Sequence, residues 1–265
     1  MEKSQKSYKY VYGPVSSWRL GRSLGIDPIS RKEKICTFDC IYCQLGGTIV
    51  FSDKREIFIP TNDLIKEITS LPPLEIDYVT FSGKGEPTLA ENLGEMVSEI
   101  RKIKKVRTAV ITNSSLIDRK DVREDLALFD LVMLKLDACS EALFNEINRP
   151  MEGITFNRVL KGIAEFKSVY KGKLAVQVMF IEKNKICAPG LAQIVKEIAP
   201  FEIQINTPLR PSDARPLSKR DLDDIKRFFD LDNINVVSVY EAKKKEAKPL
   251  NKDDTLKRRD KLNRP

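Results

Sequence analysis

From residue 76 onward, short runs of β-branched, aromatic and leucine residues alternate with stretches whose apolar positions repeat at helical spacing. The β-rich runs fall at residues 78–81, 108–112, 131–136, 174–181, 203–205 and 234–239, and an earlier one lies near 23–27. Between them, Leu89, Leu93, Met96, Val97, Ile100 and Ile103 mark one amphipathic helix, and Phe156, Val159, Leu160, Ile163 and Phe166 mark another. Leu64, Ile65, Ile68 and Leu71 predict a third, between the early strand and residue 78. Strands that alternate with helices predict parallel pairing through crossover connections. The expected class is α/β: a partial, open (β/α)6 barrel of the TIM-like kind. In such a fold the loops leaving the C-terminal ends of the strands converge on one face, where ligands bind.

This pattern stops near residue 240. We take residues 1–240 as the core domain and 241–265 as a separate basic tail, because that last stretch has ten basic and five acidic residues and little apolar periodicity. A chain of 265 residues, 42% of them hydrophobic, is long enough to bury a substantial core. The first fifteen residues are polar and charged, without an apolar leader segment, and no stretch approaches the roughly 18 apolar residues of a membrane span. A soluble, cytoplasmic protein without membrane contact is expected. The net charge of +8 suits phosphates, nucleic acid or an acidic protein partner, and a lysine-rich solvated surface explains the same figure.

Two features narrow the chemistry. The chain has no histidine, which removes imidazole as base, metal ligand or partner of a nucleophile. Three of its five cysteines, Cys36, Cys40 and Cys43, crowd into eight residues just after the first predicted strand of the alternating series. Such spacing is poor for a disulfide framework and suited to a metal site in a reducing compartment. Three thiolates on one short loop can wrap an iron–sulfur cluster and leave one iron without a protein ligand, open for substrate chemistry. The competing reading is a zinc site completed by Cys139 or Cys187. Closed four-cysteine zinc sites usually pair two CxxC knuckles, whereas here one trio stands beside two isolated cysteines, which we read as small buried or half-buried residues.

Polar groups follow the other predicted strands. The segment from Phe81 through Ser82, Gly83, Lys84, Gly85 and Glu86 ends a strand and opens a helix. Its glycines let a backbone approach a ligand, and its carbonyls and Glu86 can accept hydrogen bonds from an ammonium group, although a glycine turn with a helix-capping acid has the same look. Asn113 follows the next strand, and Lys135 and Asp137 follow the one after. Asp137 is suited to ribose hydroxyls and Lys135 to a carboxylate; a local ion pair between the two is the alternative. Asn206, Arg210 and Arg149 lie after later strands or helices and suit an anionic substrate group.

The CxxxCxxC spacing of Cys36, Cys40 and Cys43 resembles the signature of the radical S-adenosylmethionine (SAM) superfamily. The resemblance implies a [4Fe–4S] cluster on the three cysteines, with SAM chelated to the fourth iron through its amino and carboxylate groups. It places Tyr42 near the adenine, and it likens Ser82, Gly83, Gly85 and Glu86 to the family's GGE motif for the SAM amino group, with Lys84 interrupting the glycine pair. It carries Asn113, Lys135 and Asp137 as cofactor-binding residues. Residues 12–25, the run from Cys40 to Gly46 and residues 206–211 extend the likeness to small Fe–S oxidoreductases distantly related to wyosine-type tRNA-modifying enzymes. The implied reaction is reductive cleavage of SAM to a 5′-deoxyadenosyl radical, driven by a reductant protein such as a ferredoxin or flavodoxin. A tRNA base is the first substrate considered and a protein to be activated or modified is the second; a non-catalytic metal protein that binds nucleic acid is the reading from another class.

Overall fold

In the computed structural model, residues 6–230 and 234–258 are described. The chain forms β1 (Val11–Ser17), β2 (Gly21–Ile26), β3 (Ile35–Cys36), β4 (Val50–Phe51), α1 (Thr61–Thr69), β5 (Tyr78–Phe81), α2 (Leu93–Ile103), β6 (Arg107–Thr112), α3 (Lys120–Leu126) and β7 (Leu131–Lys135). It continues through α4 (Glu141–Asn148), α5 (Phe156–Val169), β8 (Lys173–Met179), α6 (Ala188–Ile198), β9 (Glu202–Asn206), α7 (Lys219–Lys226), β10 (Asn235–Ser238) and α8 (Lys252–Lys257). One sheet has the order β1-β2-β5-β6-β7-β8-β9-β10, and all its pairs are parallel except β1 with β2. Six helical crossovers connect the parallel strands, as the alternating pattern predicts, and the sheet curls into an open half-barrel.

The two faces of the sheet are sorted by the two-residue period of the strands. Val79, Phe81, Val110, Val132, Leu134, Val176 and Val178 belong to the core shared with the helices. Tyr78, Ala109, Leu131, Met133 and Ala175, of the opposite parity, form a second cluster with Leu20. Further along this second face, Thr80, Ile111, Lys135 and Gln177 line a cavity. The inner face is therefore apolar at the strand beginnings and polar at their C-terminal ends, where the site stands.

Two elements depart from the sequence reading. The first is β1, an edge strand around Gly13 and Pro14 whose register with β2 is interrupted between Tyr12 and Val15. Proline lacks a ladder donor and is confined to edges and bulges, so the local pattern is a weak strand signal. The second is the basic segment after β10, which does not stand apart. Lys245 Nζ lies 2.9 Å from Asp77 Oδ1, and Leu250 donates its N–H to the Gly13 carbonyl. Thr255 Oγ1 accepts from the Gly13 N–H at 3.1 Å, and Asp254 Oδ2 accepts from the Tyr8 N–H at 2.8 Å. The chain thus leaves one edge strand, β10, and docks α8 on the other, β1. Residues 259–265 of the expected tail lie outside the described residues.

Candidate active site

The cysteine loop is held by its backbone. Ile35 and Cys36 pair with Val50 and Phe51, and Ile35 also bridges Gly85, whose positive φ of 147° is open to glycine. A Cβ on Gly85 would stand 1.9 Å from the Ile35 carbonyl oxygen. On its other side the loop is stitched to the end of α4. Asp39 donates its N–H to the Asn148 and Arg149 carbonyls, and Ile41 donates to Ile147. Arg149, in left-handed conformation at the end of that helix, supports the loop in this way, and its guanidinium lies 3.9 Å from Asp39. It is not among the residues that line the cavity.

Cys36, Cys40 and Cys43 all line one cavity of about 360 Å³ at the C-terminal ends of the strands. Each sulfur faces a nitrogen donor from a different element. Asn113 Nδ2 is 3.6 Å from Cys36 Sγ, Asn148 Nδ2 is 3.5 Å from Cys40 Sγ, and Lys34 Nζ is 3.2 Å from Cys43 Sγ. Burial pushes the Cys36 thiol up to about 12 and the Cys40 thiol up to about 11, so water alone does not hold them as thiolates. Three soft sulfur donors on one wall, in need of a positive body to ionise them, suit an iron–sulfur cluster. Among the described residues, no three of Cys, Asp or Glu group around a single ion. Lys34 is itself buried, which pulls its ammonium down, and Cys43, Cys36 and Cys40 together outweigh that pull and raise it.

The other residues expected at the site gather here with differing duties. Ser82, Gly83, Gly85, Glu86, Asn113, Lys135 and Tyr42 line the cavity, and so do Asn206 and Arg210. Glu86 is only 1% exposed and its carboxylate is taken up within the protein. Oε1 accepts from Thr88 N–H at 3.1 Å, Thr88 Oγ1 at 2.8 Å and Thr112 Oγ1 at 2.6 Å, and Oε2 accepts from Asn113 N–H at 2.7 Å. Glu86 therefore ties the β5 and β6 ends together, and burial outweighs these bonds to raise its carboxyl. Asp137 is 3% exposed and is not among the lining residues. It accepts from Lys135 Nζ at 3.0 Å, from Met179 N–H at 2.6 Å and from the Tyr42 hydroxyl, so the local ion pair considered from the sequence is the one formed. Tyr42 is pinned there, its hydroxyl also receiving Asn148 Nδ2 at 3.0 Å, and burial followed by the Asp137 charge keeps that hydroxyl protonated.

Several residues at the site were not singled out from the sequence. Tyr12 from β1 donates to the Ser82 carbonyl at 3.1 Å and lies 2.8 Å from Ser82 Oγ. Asp27, buried beneath the glycine turn, accepts from the Lys84 N–H at 3.3 Å. A Cβ on Gly83 would stand 2.2 Å from Asp27 Cγ. Gln44, the residue after Cys43, accepts at Oε1 from Arg210, one of the expected residues, at 2.8 Å, which joins the cysteine loop to the β9 loop. Cys139 and Cys187, read as isolated, are paired in a disulfide with Cα atoms 5.8 Å apart, which removes both as ligands to the trio. The signal for Asn148 and Asp27 was weak, because single polar residues at element ends are common.

Residues 34–186 match the Radical SAM superfamily, and the chain belongs to it. A UPF0026 protein of Synechocystis is 42% identical over 214 residues, covering 80% of this chain and 79% of that one. Streptococcus suis SuiB bound to S-adenosylmethionine superposes with a TM-score of 0.60 at 16% identity, covering 78% of this chain and 48% of SuiB. Archaeal TYW1 superposes with a TM-score of 0.57 at 17% identity, covering 79% and 71%. The chain is accordingly a radical SAM enzyme that works with a [4Fe–4S] cluster, SAM and a source of electrons. This sets aside the reading of a non-catalytic metal protein. Among the described residues, no helix is long and apolar enough to cross a membrane.

Proposed function

We propose that this enzyme removes a hydrogen atom from a nucleic-acid substrate, a tRNA base, placed at the open face of the barrel. The observation that carries the reading is the charge of the cavity wall. Among the described residues, Arg19, Arg210, Lys244 and Arg258 line it, together with Lys34, which faces Cys43, and Lys135, which pairs with Asp137, and the one lining acid is Glu86, whose carboxylate is already occupied by four protein donors. A wall of this sign favours a polyanion, and phosphate contacts supply most of the affinity in nucleic-acid binding. Arg19, on the turn between β1 and β2, and Lys244, after β10, approach from the two edges of the sheet.

In this reading Cys36, Cys40 and Cys43 hold the cluster, and Lys34, Asn113 and Asn148 stabilise its sulfurs by hydrogen bonds. The bound cluster and SAM together supply a 5′-deoxyadenosyl radical once an electron arrives. Tyr42, fixed by Asp137 and Asn148, gives a rigid aromatic face for the adenine. The backbone of Ser82, Gly83 and Gly85 accepts the SAM ammonium, with Glu86 and Asp27 holding the turn in shape. Lys135, pinned by Asp137, presents a charge to the cavity without needing to reorganise. A ferredoxin or flavodoxin is the proposed electron donor.

The test is anaerobic reconstitution with iron and sulfide, then reduction in the presence of SAM and bulk tRNA, with chromatographic detection of 5′-deoxyadenosine and of altered nucleosides. Stimulation of 5′-deoxyadenosine by tRNA and its loss in Cys40→Ala are expected. Stimulation by a protein fraction that survives nuclease, with none by tRNA, would transfer the substrate to a polypeptide.

A further inference from the structure

An exposed apolar ridge stands beside the cysteine loop. Ile49, Val50, Phe51 and Ile57 are 70%, 41%, 46% and 58% exposed, and no other nine-residue stretch of the described chain holds more than two large apolar side chains so exposed. Exposed apolar residues scattered singly are ordinary, whereas a contiguous group marks an interaction surface. None of the four lines the cavity. Backbone pairing fixes where the ridge stands. Ile35 bridges Gly85 on one side and Val50 on the other, so β4 lies on the side of β3 away from the glycine turn. Phe51 is the pairing partner of Cys36, whose carbonyl accepts from the Ser52 N–H at 3.4 Å. The Lys34 carbonyl accepts from the N–H groups of Ile49 and Val50 at 3.2 and 3.1 Å. Among the described residues β4 pairs with β3 alone, which leaves its outer edge open.

A cluster on Cys36, Cys40 and Cys43 needs an electron from outside while SAM and substrate fill the cavity, so the carrier must approach from the outer side of the cysteine loop. One flank of that loop is covered by the end of α4, and the β4 flank is open. Size and charge indicate the partner. A ridge of nine residues is too small for a permanent complex and matches the interfaces, under about 1,200 Å², of transient redox encounters. Arg31 and Lys32 before β3, Lys54 after β4, and Lys84, whose Nζ donates to the Lys32 carbonyl at 3.3 Å, outnumber Glu33, Asp53 and Glu56 of the same segments. We propose that the β4 ridge docks a small acidic electron-carrier protein, with Phe51 as the apolar anchor beside Cys36. The carrier loses one electron and the cluster gains it; no bond forms or breaks and no proton moves. The inference rests on the assignment of the cluster to the three cysteines and of its electron to a protein donor, and it is independent of the tRNA reading.

The experiment is stopped-flow reduction of the reconstituted full chain, without SAM, by flavodoxin hydroquinone, by reduced ferredoxin and by dithionite, which needs no docking surface. In the double variant Val50→Ser, Phe51→Ser the rate with the carriers is expected to fall about tenfold, the scale of losing a central apolar anchor, and the rate with dithionite to change by less than about twofold. Carrier affinity, measured by titration calorimetry on the oxidised proteins, should fall by the same factor. Lys32→Gln with Lys54→Gln should slow the carriers and flatten their dependence on salt, and this pair carries the test where the serine variant does not fold. Equal losses with carriers and dithionite, carrier rates and affinity unchanged, or a wild-type cluster that dithionite reduces and neither carrier does would overturn the proposal. So would a serine variant that keeps its carrier rates and loses only the response of SAM cleavage to tRNA or protein, which would give the ridge to the substrate. A wild-type chain that takes up no cluster would instead overturn the ligand assignment.

Discussion

Lys34 makes the sharpest prediction for the electron-transfer step. It is 6% exposed, its Nζ lies 3.2 Å from Cys43 Sγ and 3.1 Å from the Gly46 carbonyl oxygen, and among the described residues no carboxylate pairs with it. A reduced cluster has one more negative charge than an oxidised one, so a fixed ammonium favours reduction. With an effective dielectric near 20 and a separation of about 6 Å from the centre of the added charge, the interaction is about 3 kcal/mol. For a one-electron couple a tenfold change in equilibrium, about 1.4 kcal/mol, is about 59 mV, so Lys34→Met should lower the midpoint potential by roughly 120 mV. Lys34→Arg, which keeps the charge, should move it far less. The assay is a redox titration of the reconstituted cluster followed by electron paramagnetic resonance, independent of turnover. A shift under about 30 mV in Lys34→Met, or a shift upward, would refute the electrostatic reasoning.

Gly83→Ala should force Asp27 away, because the new Cβ would meet Asp27 Cγ at 2.2 Å; overpacking of this kind costs about 1–3 kcal/mol, and SAM binding should fall with it, as urea denaturation and dialysis would show. Asp77 should support stability only where it is ionised. The Arg22 N–H, then the Lys245 ammonium, hold its carboxylate well below the usual range, so its contribution is full above the ordinary value of 3.8 and is lost as pH falls toward the depressed folded value. Denaturation midpoints of Asp77→Asn should therefore trail the wild type by a constant gap from pH 7 to about pH 5, and the gap should narrow below 3.8; a gap unchanged at pH 3 would exclude this role. Cys139→Ser and Cys187→Ser should keep the iron and sulfide content of the wild type, and loss of metal from either would break the ligand assignment. Under oxidising conditions each should lose up to about 4 kcal/mol, the chain-entropy value for a loop closed over 48 residues, and the loss should vanish in thiol reductant.

The sequence by itself determined the parallel α/β architecture and the place of the three-cysteine loop. Both are local: buried parallel strands read as short apolar runs, and a three-cysteine motif needs no distant residue to be recognised. It also brought Tyr42, Ser82, Gly83, Gly85, Glu86, Asn113 and Lys135 to one face, because strand-end loops converge in any such barrel. What each of them touches was decided only in three dimensions. Whether Glu86 faced a ligand or its own loops depended on Thr112 and Asn113, 26 and 27 residues away, and Asp137 was claimed by Tyr42, 95 residues away. The Cys139–Cys187 pair closes over 48 residues, and spacing along the chain says nothing about such a contact. The basic C-terminal segment reads as a separate tail because charge and weak periodicity are properties of composition. Its docking depends instead on backbone groups of Gly13, which the edge strand β1 leaves unpaired, and of Tyr8, just before that strand, and those partners become visible only when the first and last elements of the chain meet.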